Sequence, residues 1–465
     1  MGGVRIGLSK EIKLLGLTID NGLTFNTHVA NVCRKALGLY CQLSRAAKIH
    51  WGLSPEVIRT IYVSVVEPVI MYAASAWAPA ASKLGVRKEL DTVQRGFAQK
   101  LVKAYRTVSL NSALLLAGLL PLDLRIQEAA ALYEVKRGYS QRVVGDRGVE
   151  VPVPVVSAPH PVDQVGYSFE CVVDGAALLQ NDSSVCNIFT DGSKLDGKVG
   201  AALSLWRDNA ETTSRKFKLE SFCTVYQAEL LALQKATELA LSHKAKAFNI
   251  YCDSRSALET IAAGVSLHPI AYNICQNLNT IRGSSKTVKL FWIKAHAGLE
   301  GNERADVLAK AAVDIKRKPD YSVCPVSFVK RQIRLDSIDE WNRRYQNGEQ
   351  GSTTKIFFPD ASEAYRLVRK IPLTPELVQM FTGHGGFSAY LHRFKCKESP
   401  ACPCDPAQKE DIQHIILNCP RFALARHDLE NVLGVVLTED SLKDTFHCAS
   451  SVSPKIRCTK KPSIP

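Results

Sequence analysis

The stretch Val185–Trp206, VCNIFTDGSKLDGKVGAALSLW, decides the fold of the middle of this chain. An apolar run reaches Asp191, a glycine-containing turn follows, and a second apolar run begins. That pattern predicts a β-hairpin with Asp191 on its first strand. Working outward, Cys223–Leu241, CTVYQAELLALQKATELAL, has helical periodicity. Glu229 shares its face with Ala232, Leu233, Ala236 and Ala240, at the offsets that stack residues on one side of a helix. AFNIYCDS, residues 247–254, reads as a buried strand ending at Asp253, with Ser254 placed to cap the next helix. WIKAHAGLEGNERADVLAKAA, residues 292–312, reads as a strand, a loop holding His296 and a helix carrying Asp306.

A lone acid on an apolar helix face can sit at the rim of a core, and a lone Asp at a strand end is often a turn former or cap. Four acids delivered in this order to one end of a sheet call for a common explanation. Clustered carboxylates repel one another unless cations neutralise them. Hard oxygen ligands suit Mg²⁺ or Mn²⁺. Two such ions roughly 4 Å apart can activate water on one side of a phosphodiester and stabilise the leaving oxygen on the other.

FTDGSK, QAELLAL, YCDS and AHAGLEGNERADVLAK resemble, in order and spacing, the four signature blocks of type 1 ribonuclease H, over roughly residues 185–315. The resemblance implies an α/β domain at 181–316, a five-stranded mixed sheet flanked by helices. It implies cleavage of the RNA strand of RNA–DNA hybrids, with Asp191, Glu229, Asp253 and Asp306 holding two Mg²⁺ (or Mn²⁺) and Asp191 bridging both. His296 matches the family's mobile loop histidine, implying a part in proton movement or product release. Contacts to 2′-hydroxyls across the shallow minor groove would select the hybrid.

On the C-terminal side, CKESPACPCDPAQKEDIQHIILNCP (396–420) offers Cys402, Cys404, His414 and Cys419 as a tetrahedral Zn²⁺ set, with Cys396 as a spare thiol. Reduced cysteines beside a surface histidine are the alternative. Between this cluster and the central domain, 317–395 reads as a helical connector. The tail, 421–465, reads as partly disordered.

On the N-terminal side, VEVPVPVVSAPHPVD has four prolines within residues 149–163, so 141–180 reads as an extended linker. Residues 1–140 read as one short strand, EIKLLGLTID, then helices at about 27–49, 54–76 and 83–105 and two more divided by Pro121. Ser54 and Pro55 suit the cap and first turn of the second helix. EIKLLGLTIDNGLTFNTHV is similar to the end of a non-LTR (LINE-like) retrotransposon reverse transcriptase, and the helices that follow are similar to its thumb. The order of parts thus resembles the C-terminal portion of such an element's polyprotein. No Tyr-x-Asp-Asp sequence occurs, so the expectation is a truncated protein without polymerase activity.

Composition agrees with a folded, multidomain chain of 465 residues and net charge +14. The first 140 residues hold 18 Lys/Arg against 9 Asp/Glu, an excess suited to a polyanion, though charge alone describes a solvated basic surface equally well. Fourteen cysteines without a secretory signal point to a reduced, intracellular protein of the nucleus or cytoplasm. No membrane partner is expected, because the longest apolar run, Val57–Ala81, is broken by Arg59, Glu67 and Pro68. The partners expected are an RNA–DNA hybrid and, through the outer regions, RNA or target DNA. A competing reading keeps only the binding: a non-catalytic nucleic-acid-binding relic using the basic N-terminal region and the Cys/His cluster.

Overall fold

The two runs of Val185–Trp206 pair as the sequence requires. In the computed structural model, which describes residues 9–46, 53–139, 141–154, 166–172, 184–264 and 266–442, they form the centre of a six-stranded sheet. Its strands are β1 (Phe169–Val172), β2 (Val185–Leu195), β3 (Lys198–Arg207), β4 (Ala210–Leu219), β5 (Ala247–Cys252) and β6 (Thr287–Ile293). Across the sheet the order is β1-β6-β5-β2-β3-β4. The pairs β2/β3 and β3/β4 are antiparallel, and the other three are parallel.

Four helices cover this sheet: α1 (Val225–Ser242), α2 (Arg255–Ala262), α3 (Pro269–Arg282) and α4 (Glu300–Ala312). The first three bury one face over Ile188, Leu203, Phe248 and Ile250. α4 lies on the other, where Leu308 and Ala309 meet Ala202. Thr224 opens α1 with a reciprocal cap: its hydroxyl accepts from the Gln227 N–H, and the Gln227 side chain accepts from the Thr224 N–H.

The architecture is the expected mixed sheet with flanking helices, its five strands within 181–316, and it has one addition from outside that range: among the described residues a sixth strand joins the sheet. The extra one, β1, lies inside the segment read as a linker. Four residues are too few for a period-two signal, and only the open edge of β6 makes them a strand. Residues 155–165 and 173–183 of that region lie outside the described residues. Val149 also bridges to Cys324, and the buried Glu150 accepts from Gln227, Tyr321 and His268, so the start of the presumed linker is fixed to the domain.

By contacts the chain forms two compact units, residues 132–333 and residues 1–131 with 334–465. The sequence reading cut the chain into successive parts, whereas the N-terminal and C-terminal segments share one apolar core. Trp77, Phe97 and Leu115 belong to the same cluster as Trp341, Phe357 and Phe381. The apolar faces of the later helices complete their burial against the earlier ones, so the helices within 334–395 contribute to this core. Helices at Asn26–Ala46, Pro55–Ile70 (with one π turn), Leu84–Leu101, Leu110–Ala117 and Leu122–Lys136 follow the expected positions. Ser54 accepts from the Val57 N–H at the predicted cap. EIKLLGLTID is a hairpin, not one strand, turning at Leu15 and Gly16, both with positive φ. The tail begins with a helix, Ala423–Leu433, and 443–465 lie outside the described residues. Among the described residues no single helix is long and apolar enough to cross a membrane.

Two glycines set how close the helices come to the central hairpin. A Cβ on Gly192 would stand 2.6 Å from the Glu229 backbone nitrogen, and one on Gly200 would stand 2.4 Å from the Ala309 carbonyl oxygen. Both obstacles are helix backbone, which cannot swing aside as a side chain can. Gly192→Ala and Gly200→Ala are each expected to destabilise the 132–333 unit by about 2–3 kcal/mol, the cost of overpacking. Gly38→Ala, with open space around it inside a helix, should stabilise its unit by about 0.5–1 kcal/mol. Urea or thermal melts of the three variants check both signs.

Candidate active site

Strand register makes the first contact of the site. Thr190 pairs with Cys252 across the parallel β2/β5 pair, so Asp191 and Asp253, one residue further on, lie side by side on adjacent strands. Neighbouring strands run about 4.8 Å apart, so both carboxylates leave the same edge of the sheet. The Trp292 indole N–H donates to the Asp253 carbonyl at 2.9 Å and fixes the backbone where β5 ends.

α1 then brings Glu229 in over Gly192, and α4 brings Asp306. All four predicted acids converge. Asp191 and Glu229 are buried, at 7% and 6% exposure. No ion pair to either is present among the described residues. Burial, then the charges of Asp253 and Asp306, push the Asp191 carboxyl up to about 7, offset in part by the Gly192 N–H. Glu229 is held well above the carboxylate range by burial and by Asp191 and Asp253. Asp253 is raised chiefly by burial, against its own backbone N–H, His296 and Asn302. Asp306 accepts from Lys310 Nζ at 2.7 Å. This is a carboxylate cluster short of positive charge.

Several participants carry no signal in the sequence alone. The Cys252 thiol donates to Glu229 Oε2 at 3.9 Å, and Glu229, Cys252 and Asp253 bring ligand atoms within 4.8 Å of one another. Asn302, buried at the start of α4, faces Asp253. His296 sits on the exposed loop before α4 with φ of 54°, its Nδ1 3.8 Å from Glu303 Oε2. His296, Glu303 and Asp306 form a second group within 4.8 Å. One local expectation fails: Ser254 occupies the N-cap position of α2, but its side chain makes no cap bond there. Its N–H turns to the Cys252 sulfur instead, at 3.4 Å.

The Cys/His cluster lies in the other unit. A short antiparallel ribbon, Ala401–Cys402 with Asp405–Lys409, presents Cys402 to His414 and Cys419, whose ligand atoms lie within 4.8 Å and are buried. Cys402 Sγ and Cys419 Sγ are 3.7 Å apart. That matches the edge of about 3.8 Å expected for two thiolates on one tetrahedral Zn²⁺. Both ring nitrogens of His414 are buried and meet no geometric hydrogen-bond partner among the described residues, while His414 lies close enough to act on the Cys402 thiol. Cys404, predicted as the fourth ligand, is exposed and outside this group, and Cys396 is exposed with its thiol toward the Phe394 carbonyl. The described cysteines, twelve in number, are all free.

A catalytic-type acid cluster on a mixed sheet between helices defines a nuclease-like domain. Residues 183–314 match the RNase H family model. The chain is 32% identical over 130 residues to a putative 115 kDa protein in type-1 retrotransposable element R1DM of Drosophila melanogaster, 28% of this chain and 13% of that protein. It is 27% identical over 147 residues to a retrovirus-related Pol polyprotein from type-1 retrotransposable element R1 4 of Nasonia vitripennis, 31% of this chain and 36% of that protein. A Popillia japonica R1 Pol polyprotein is 26% identical over 200 residues, 42% of this chain and 76% of that protein. The solved structure of RNase H1 from the halophilic archaeon Halobacterium salinarum NRC-1 aligns with 28% of this chain and 98% of its own, at 19% identity and TM-score 0.24. Residues 183–314 thus form an RNase H domain, and the chain is similar to Pol proteins of type-1 (R1) retrotransposable elements. It matches a fragment of its larger relatives, spanning 13% and 36% of the first two.

The raised carboxyl of Asp191 sets a pH dependence. Its folded value, about 7, lies above the ordinary 3.8, so the folded state binds the proton more tightly. Without metal, this group therefore lowers stability progressively as pH rises from about 4 to about 7. Asp191→Asn is expected to melt like the unsubstituted chain near pH 4 and to be more stable by about 2–4 kcal/mol at pH 8. Saturating Mg²⁺ should narrow that gap. Metal-free thermal melts across the pH range check this.

Proposed function

We propose that this protein is a hybrid-specific endoribonuclease that hydrolyses the RNA strand of RNA–DNA hybrids. The observation that carries the reading is the convergence of Asp191, Glu229, Asp253 and Asp306 at one edge of the sheet, two of them buried and unneutralised. The donor set is all oxygen and acidic, which fits Mg²⁺ or Mn²⁺. Two such ions, when bound, supply an activated water and a charge clamp on the phosphodiester. The chain's own part is to hold and orient. Asp191, on the central strand, lies close enough to Asp253 and Asp306 to feel their charges and acts in turn on Glu229, so with these three it would hold the ions. Cys252 and Asn302 fix Glu229 and Asp253 by hydrogen bonds. His296, on an exposed loop beside Asp306, exchanges a proton with the departing oxygen or solvent.

No DNA synthesis is part of this proposal, because no Tyr-x-Asp-Asp sequence occurs in the chain. The test is cleavage of a labelled RNA–DNA hybrid in Mg²⁺ beside RNA–RNA and DNA–DNA controls. Hybrid-only cleavage is expected, falling by at least about 10³-fold in Asp191→Asn, the scale of losing a principal electrostatic group. Tight hybrid binding without cleavage in Mg²⁺ and in Mn²⁺ overturns the proposal in favour of a binding relic.

We also propose that Cys402, His414 and Cys419 hold a structural Zn²⁺, with Cys404, two residues from Cys402, as the nearest candidate for the fourth ligand. The buried nitrogens of His414 and the spacing of the two sulfurs support it. The thiols are free, as a reducing intracellular setting would keep them. Purified protein is expected to carry one zinc per chain by elemental analysis. His414→Ala should lose it and lower the melting temperature of the 1–131/334–465 unit, with hybrid cleavage retained. Zinc-free protein with unchanged melting overturns this assignment.

A further inference from the structure

The unit formed by residues 1–131 and 334–465 has a polar cavity of about 600 Å³ that the proposed cleavage chemistry does not use. Arg95, Ser109, Ser112, Thr353, Tyr390 and Arg393 line it, and two acids, Glu349 and Asp411, stand at it as well. Asp411 is already engaged by the His414 N–H at 2.9 Å. Glycines keep the cavity open: a Cβ on Gly351 would meet Ser112 Oγ at 2.6 Å, and one on Gly383 would meet Thr353 Oγ1 at 2.8 Å. The walls thus present hydroxyls and guanidinium groups, with Val108, Phe387, Ala389 and Ile412 as their apolar part.

At the rim stands a row of aromatic rings. Tyr390 lies 4.9 Å from Phe394, 5.0 Å from His384 and 6.3 Å from Tyr105, centroid to centroid. Thr107 Oγ1 pins two of them, lying 2.9 Å from His384 Nδ1 and 2.7 Å from the Tyr390 hydroxyl. The row is tied down, yet its ends are open to solvent: Tyr105 is 45% exposed and Phe394 43%. Large exposed rings cost solvation free energy unless something covers them. The two segments that carry the row's ends, Tyr105 and Phe394, are basic. Lys100–Arg106 supplies Lys100, Lys103 and Arg106, and Arg393–Lys397 supplies Arg393, Lys395 and Lys397, with no acid in either. Arg393 itself lies over the Phe394 ring at 5.9 Å.

Interleaved rings and cations beside a hydroxyl-lined recess match what a single strand offers: unstacked bases with open π faces on a phosphate chain. A duplex keeps its base faces stacked inside and could use only the charges. We propose that this face binds single-stranded nucleic acid, with bases stacking on Tyr105, Tyr390 and Phe394 and backbone phosphates held by Arg393, Arg95 and the hydroxyls of the recess. The site lies in the unit without the RNase H domain and does not rest on the ribonuclease reading.

The test uses the full chain carrying Asp191→Asn, so that no probe is cut. Fluorescence anisotropy measures its affinity for a labelled 20-nucleotide single-stranded DNA (a probe length of about this size covers one or two such sites) and for the same sequence as a duplex. Tyr105→Ala combined with Phe394→Ala is expected to weaken single-strand binding about tenfold or more, the scale of losing stacked bases, and duplex binding less than about twofold. Tyr105→Trp, which keeps a stacking face, should retain the affinity. Arg393→Glu should weaken single-strand binding and flatten its salt dependence. Since Tyr105 and Phe394 are half-exposed, the double variant should melt with the parent, and Arg393→Glu decides independently should it not. Single-strand affinity unchanged in the double variant and in Arg393→Glu overturns the proposal. Equal losses on single strand and duplex also overturn it, leaving a charged surface without base recognition.

Discussion

In the central domain a helix backbone rests on each of two glycines of one hairpin, one on either face of the sheet. α1 lies against Gly192 and α4 against Gly200, closer in both places than any Cβ would permit. Gly301, at the start of α4, allows a third approach, where a Cβ would meet the Phe189 ring at 2.2 Å. These contacts fix the height of Glu229 and Asp306 above the strand that carries Asp191. Moving either helix outward by a side chain's width would separate the acids beyond the reach of a shared cation. Packing at the hairpin and the chemistry of the site are thus one constraint.

The cost of that constraint is electrostatic. Bringing Asp191 and Glu229 together out of water raises both carboxyls, so the metal-free site stands above its relaxed free energy. The surrounding core tolerates this because it is otherwise apolar and fully packed: Ile188, Ala228, Leu230, Leu233 and Ile250 are essentially inaccessible. The reciprocal Thr224–Gln227 cap and the Trp292–Asp253 contact hold the supporting elements in place while the acids repel. A cluster of mutually repelling acids on a rigid scaffold is well prepared to bind cations.

The other unit solves a different problem by different means. Its core is drawn from segments more than two hundred residues apart, with the RNase H domain inserted between them. A buried ionic network, in which Arg125 meets Glu67 and Glu128, and Arg334 meets Glu128 at 2.8 Å, spans the same distance in sequence. Gln94 supports it by bonding the Tyr62 hydroxyl and the Leu120 and Leu122 backbone. An insertion of this kind leaves the two segments dependent on one another, which explains why neither reads as a complete domain by itself.

Much of the candidate site was legible in the sequence, because its elements are long and strictly periodic. The acids Asp191, Glu229, Asp253 and Asp306 sit at positions that strand alternation and helix stacking define locally. The helix boundaries near Ser54 and Pro121 follow from the chemistry of capping and proline. What the sequence could not supply were relations set across space. β1 exists only because β6 offers an edge. Cys252 and Asn302 matter only because β5 and α4 end beside the acids. Cys404 is near Cys402 along the chain, yet its thiol stands outside the group that Cys402, His414 and Cys419 form. Whether the outer segments were connectors or one core also turned on contacts across some two hundred residues of sequence. Local periodicity determined the elements and the acids they carry, since these depend on residues within a few turns. Partner choice, sheet edges and the union of the two ends were decided by the tertiary structure, because burial rewards whichever apolar surfaces meet, regardless of their separation along the chain.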